Sequence, residues 1–192
     1  MWYSENSKEQ ELVQLLKKRD SKAMKEMYCL YAEYLSAVGS RYIPIPEDLR
    51  DVLQDSFIKI FTSIDQFEFR GEGSLRAWAS RIVVNESLKF LKRNEKLSKM
   101  ERDEEIPDIP DEEDPDTEEV PAEVIQEMIQ QLPVGYRTVF NLYVFEEKSH
   151  KEIAALLHIK EDTSASQLHR AKNLLAKQIR NYKSLNHGRT MD

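Results

Sequence analysis

The sequence is poor in the residues that mark most function classes. It holds one cysteine, Cys29, in 192 residues, which excludes an internal disulfide framework and suits a reducing cytoplasm. Its histidines, His150, His158, His169 and His187, never fall at metal-ligand spacing. A glycine-rich phosphate loop and a nucleophile-elbow serine are both missing. An enzyme is therefore not expected, nor are a metal or a cofactor. No apolar run approaches the roughly 18 residues that cross a bilayer, so membrane insertion is not expected. The start, MWYSENSKEQELVQLLKKRD, shows no basic-then-apolar leader and no small-residue cleavage site, so a cytoplasmic location is expected. Glycines number five and prolines seven, no segment alternates as a strand should, and no internal repeat is visible. What remains is rich in Leu, Glu, Lys, Gln and Ala, and the expectation is an all-α chain.

The formal net charge of −7 would argue against nucleic acid if it were spread evenly. It is not. Between Glu101 and Glu119 stand twelve acids against one base, Arg102, a local charge of −11, so the other residues together carry +4. Arg70–Lys96 holds seven bases against three acids, and Lys148–Lys183 eight against three. Two basic islands flank an acidic bridge, which makes the whole-chain average the wrong statistic. The bridge, KMERDEEIPDIPDEEDPDTEEVP, is nearly free of apolar residues and is punctuated by proline. Like charges repel and proline removes backbone donors, so it reads as an extended tether between domains. Its prolines and lack of the required glycine count against a calcium loop.

Apolar spacing divides the N-terminal part into helices. Leu12, Leu15 and Leu16, then Ala23, Met24, Met27, Tyr28, Tyr31 and Leu35, recur at three-to-four intervals, and Cys29 falls in that second stripe. Gly39 and Tyr42-Ile43-Pro44-Ile45-Pro46 break the pattern. A third helix over Asp48–Ile64 sets Leu49, Val52, Leu53, Phe57, Ile60 and Phe61 against Asp51, Gln54, Asp55 and Lys59. The loop Phe69-Arg70-Gly71-Glu72-Gly73 leads to Ser74, the expected N-cap of a fourth helix reaching about Arg93.

The C-terminal part reads as a smaller helical unit. Val124, Ile125, Met128, Ile129 and Leu132 form one stripe, stopped by Pro133, and Val139, Phe140, Leu142, Tyr143 and Val144 a second. Ser149 caps a short helix with Ile153, Ala154 and Leu157, and a turn through His158-Ile159-Lys160 opens a long helix with Leu168, Ala171, Leu174, Leu175 and Ile179. Two helices meeting across so short a turn match a helix-turn-helix. With Ser164, Leu168, Ala171 and Leu175 inward, Asp162, Ser166, His169, Arg170 and Asn173 face outward, where Ser, His and Arg reach base edges. Lys160, Thr163, Lys172 and Lys177 suit phosphates. A helical hairpin that only packs is the alternative.

The other basic island differs in kind. Arg70, Arg76, Arg81, Lys89, Lys92, Arg93 and Lys96 accompany Trp78 and Phe90 behind a glycine loop. Cations with aromatic and amide groups suit unstacked single strands, although Trp78 also fits a core position. The face with Asp51, Gln54 and Asp55 beside Phe57 is either a protein-docking surface or ordinary solvated helix.

Taken in order, DLRDVLQDSFIKIF, FRGEGSLRAWASRIVVNESLKFLKR, the acidic bridge and LPVGYRTVFNLYVFEEKSHKEIAALLHIKEDTSASQLHRAK resemble the extracytoplasmic-function (ECF) group of bacterial sigma-70-type sigma factors. The resemblance runs from about Lys8 to Lys183. It implies two small helical domains joined by an acidic flexible linker: residues 1–97 binding core polymerase and the −10 element, 98–121 the linker, 122–184 a helix-turn-helix domain for the −35 element, and 185–192 a tail. It further implies that Asp51, Gln54, Asp55 and Phe57 dock on the clamp helices of the largest subunit of core RNA polymerase. Phe67, Phe69, Arg76, Trp78, Arg81, Asn85, Lys89 and Arg93 would belong to the part that holds the −10 non-template strand, with Asn85 foremost for a base. Lys160, Thr163, Ser166, Gln167, His169, Arg170 and Lys172 would serve the −35 duplex of promoter DNA, the domain resting on the flap of the second-largest subunit. An anti-sigma factor is a further implied partner. Departures stand at His158 and Asp162, where the family often has Gly, at Lys160 in place of a usual Ser, and at Ala165 in place of a base. A stand-alone helix-turn-helix regulator of duplex DNA is the competing reading.

Overall fold

The computed structural model describes residues 5–94 and 120–187. Among these residues every regular element is a helix: α1 Glu5–Lys17, α2 Ser21–Ser40, α3 Pro46–Ser63 followed by a 3-10 turn Ile64–Gln66, α4 Ser74–Arg93, α5 Ala122–Gln131, α6 Val134–Val144, α7 His150–Leu157 and α8 Glu161–His187. The chain divides into two compact units, Met1–Phe90 and Leu91–Asp192, with the division in the last turn of α4. The expected boundary at 97 and most of the expected acidic linker lie outside the described residues.

In the first unit, Asp20 caps α2 by accepting from the Ala23 N–H at 2.9 Å, and Pro46 opens α3, where its missing donor costs nothing. The buried stripe of α2 is Ala23, Met27, Leu35, Val38 and Gly39. Cys29, expected in that stripe, is exposed, because it stands two residues beyond Met27 and so on the opposite side of the helix. Gly39 stands one residue before the end of α2, close to the expected break, and is buried. A Cβ there would stand 2.8 Å from Leu49 Cδ1 and 3.3 Å from Val83 Cγ1. Its bare backbone lets α2 approach α3 and α4. Arg19 donates to the Phe61 carbonyl and to Asp65, joining the turn after α1 to the end of α3. The helix α4 is packed on most sides, burying Leu75, Ala79, Ile82, Val83, Val84, Leu88, Phe90 and Leu91.

In the second unit, Met128, Ile129, Leu132, Tyr136, Ala171, Leu175 and Ile179 form a core that Val120, placed by composition in the linker, already joins. Beside it lies a buried cation. Arg137 is 7% exposed and its Nη1 donates to the carbonyls of Gln130 at 2.7 Å and Leu132 at 2.9 Å, at the C-terminal end of α5, where a positive charge is favoured by the helix dipole. Burial draws its pKa down to about 10, still well above neutral, so the guanidinium remains charged. The long α8 runs to His187, three residues into the expected tail.

Arg137→Ala is expected to destabilise the second unit by about 2–4 kcal/mol, because it opens a cavity and strands one buried and one partly buried carbonyl. Urea unfolding followed by hydrogen exchange at α5 and α6 amides measures it, and Arg137→Lys should restore only part of the loss.

Candidate nucleic-acid interface

The helix α4 is exposed along one stripe and, near its start, at Arg76 and Ala77. At about 100° per residue, Trp78, Arg81, Asn85 and Lys89 fall within an arc of about 80°, and Arg81, Asn85 and Lys89 are exposed. Trp78 is half-buried against Phe67, ring centroids 5.1 Å apart, so it is both core and surface: one side of the indole packs and the other borders the stripe. Lys89 shares the carboxylate Oε1 of Glu86 with Lys59 of α3, each at 2.9 Å. Burial pushes the Glu86 carboxyl up, but the bonds from Lys89 and Lys59 outweigh it and the net shift is downward. Arg93, with Lys92, is exposed in the last turn, where cations are favoured by the helix dipole.

Arg76 does not share this face. It lies about 180° from Asn85 around the helix, its guanidinium 5.1 Å above the Tyr34 ring, in a cleft of about 330 Å³ lined with Glu9, Tyr31, Glu72 and Gly73. Burial, then the charge of Glu9, pushes the Tyr31 phenol up. Phe69 is half-buried in the loop before α4. Ser74, expected as the N-cap, instead turns its Oγ back to accept from the Arg70 N–H at 3.3 Å.

On α3, Asp51, Gln54 and Asp55 do share one exposed face. Phe57 does not join them: it is 7% exposed, its ring 4.8 Å from Tyr28 and 6.0 Å from Phe61, because it stands three residues before the buried Ile60 and takes that side of the helix. The face contains instead Ile58, 55% exposed. Sequence reasoning missed it, and the available signal was an apolar residue at the polar phase of the helix.

The helix-turn-helix is built as expected in α7 and α8. Ser149 and Glu152 form a reciprocal capping box, and bonds from the Ser149 backbone and side chain hold the Glu152 carboxyl below its usual range. His158 closes α7 in the left-handed region at φ 58°, the conformation for which glycine is the common choice. The His150 ring stacks on Tyr143 at 4.9 Å, while its Nδ1 lies 3.0 Å from Ser164 Oγ. One histidine thus ties α6, α7 and α8 together.

At the start of α8, Lys160, Ser166, His169 and Lys172 are exposed and Thr163 and Arg170 half-buried. Gln167 is 3% exposed and is not presented to a groove. It lies three residues after the buried Ser164 and four before the buried Ala171, and so belongs to their inward face. Asn173, expected outward, is also buried, with its Nδ2 3.1 Å from His169 Nε2. Among the described residues no group of His, Cys, Asp and Glu could hold a metal, and no helix is long and apolar enough to cross a membrane.

A helical unit with a cationic-aromatic stripe and a second unit with a helix-turn-helix define a two-headed DNA-binding protein. The family comparisons agree. Residues 27–97 match the model of sigma-70 region 2, and residues 122–175 that of sigma-70 region 4. Proteins described as ECF RNA polymerase sigma-E factor are similar along their length: from Haemophilus influenzae at 28% identity, covering 92% of this chain and 97% of the relative, and from Escherichia coli K12 at 26%, covering 92% and 96%. A solved structure of CnrH in complex with the cytosolic domain of CnrY aligns with TM-score 0.45 and 21% identity, over 88% of this chain and 96% of that one. The chain belongs to the ECF group of sigma-70-type sigma factors. Such proteins are not enzymes but promoter-selecting partners of core RNA polymerase, and the region 2 match leaves no place for the stand-alone regulator.

His158→Gly should stabilise the helix-turn-helix by about 1 kcal/mol, since a left-handed non-glycine residue is strained, as read from the urea midpoint. The capping box adds a pH dependence. The Glu152 pKa is depressed in the folded state, so its stabilisation is complete above the unfolded value of about 4.3 and is lost as pH falls through the lower folded value. Glu152→Gln should flatten that acid limb of the unfolding midpoint.

Proposed function

We propose that the two units divide promoter recognition between them. The loop with Phe69 and the α4 stripe of Trp78, Arg81, Asn85 and Lys89 hold the unpaired non-template strand of the −10 element, with Arg93 as a flanking cation and Asn85 as the base contact. The first turns of α8 enter the major groove at −35, with Ser166, His169 and Arg170 toward base edges and Lys160, Thr163 and Lys172 toward phosphates. Gln167, buried, is left out of that set, and Arg76 acts from the cleft side of α4 rather than within the stripe. Asp51, Gln54, Asp55 and Ile58 dock on the clamp helices of the largest polymerase subunit, with Phe57 supporting them from beneath. The second unit rests on the flap of the second-largest subunit. The protein acts in the cytoplasm with polymerase, and an anti-sigma factor is a natural antagonist of such exposed faces.

The observation that carries this reading is the exposed stripe of α4 from Trp78 to Lys89. A single strand needs a backbone-following line of cations, a ring for stacking and an amide for hydrogen bonds. The stripe supplies all three. Unpairing costs a few kcal/mol per flipped base, and strand contacts together with polymerase binding offset it without hydrolysis.

Added to sigma-free core polymerase, the full chain should direct transcripts from defined start sites on genomic fragments. Asn85→Ala should reduce promoter opening roughly tenfold while leaving core affinity within about twofold, the loss of one good base contact. Arg170→Ala should weaken −35 recognition by a similar factor. Equal loss of core binding in both variants contradicts the assignment.

A further inference from the structure

The first turn of α4 is closed by a residue remote in sequence. The N–H groups of Gly73 and Leu75 donate to Glu9 on α1, to Oε2 and Oε1 respectively, at 2.7 Å each. The loop before them depends on this anchor. Gly71 and Gly73 sit at φ 113° and 78°, and a Cβ at either would meet nothing within 4 Å, so these glycines serve backbone conformation, not packing. The local bonds of the loop are longer, from the Ser74 N–H to the Gly71 carbonyl at 3.2 Å and from the Arg70 N–H to Ser74 Oγ at 3.3 Å. Two glycines in left-handed backbone carry a large ordering entropy, and two charge-assisted bonds from a neighbouring helix oppose it.

We propose that Glu9 is a positioning residue for promoter opening: its carboxylate holds the Phe69–Gly73 loop and the first turn of α4 in the shape that receives the unpaired strand. This rests on the reading that the loop and α4 stripe bind the −10 element. A trap assembled before the strand arrives spends none of its contact energy on ordering itself.

The test compares the full-length protein with Glu9→Ala and Glu9→Gln, each with core polymerase on a promoter fragment that the unaltered protein transcribes. The fragment is used both as duplex and with the −10 region premelted. Hydrogen exchange at the Gly73 and Leu75 amides should rise about tenfold in Glu9→Ala, and less in Glu9→Gln, which keeps one acceptor oxygen. Open-complex formation on duplex should fall roughly tenfold, but no more than about twofold on the premelted template, with core affinity unchanged. Exchange that stays put overturns the contact. Exchange that rises with opening unaffected, or with equal losses on both templates, overturns the positioning role and leaves Glu9 a structural brace. Failure of the unaltered protein to transcribe any promoter overturns the functional reading itself, and the positioning role with it.

Discussion

A chain made of helices pairs its backbone internally everywhere except at helix ends, where up to four donors or acceptors are left over. In this protein three helix ends are closed by charged side chains. Glu9 takes the donors ahead of α4, Glu152 those ahead of α7, and Arg137 the carbonyls after α5. In each case the sign of the charge matches the helix dipole. Recognition of nucleic acid depends on where a helix begins and how it is aimed, so such terminal bonds matter most at α4 and α7, which lead into the proposed DNA-facing surfaces.

The same logic explains how an acidic protein handles an acidic ligand. The strong local charge of −11 between Glu101 and Glu119 sits in one stretch, leaving each helical unit free to present cations. Within a few ångströms of a surface the local field matters more than the total, because screening removes contributions beyond about 8–10 Å at physiological salt. The two units also differ chemically. One couples its cations to a half-buried indole and an amide, the other to a turn-presented helix start, which the proposed function matches to unpaired and paired DNA.

Much of the architecture was legible from apolar spacing, because helix phase and burial are tied by geometry. The helix-turn-helix, its Ser149 cap and the extent of α4 follow from local patterns alone. The resemblance implies outward roles for Phe57 and Gln167, although Ile60, Ser164 and Ala171 place both inward by phase. Asn173, outward by phase, is buried against His169, and Gly39 stands one residue before the end of α2 while its small size serves packing. The Glu9 anchor had no local signature at all, since its partners lie 64 and 66 residues away. Ser74 stood at the right place for a cap, and nothing nearby in sequence said that a carboxylate from α1 would replace it. The split of the basic island into a stripe and a separate Arg76 needs the helix phase together with the cleft at Tyr31.

The shared carboxylate of Glu86 bears on ionic strength. With Lys59 and Lys89 both bound to one oxygen, three charged groups reduce to a net single positive charge held at one spot between α3 and α4. Such a pre-neutralised lysine sheds few counterions when a phosphate arrives, whereas Arg81, one helical turn and more away, gives up its full share. Under the proposed function, grip on the unpaired strand then varies less steeply with salt than a tally of lysines and arginines along α4 would suggest, and a larger part of it comes from ring stacking and the amide, which salt scarcely touches.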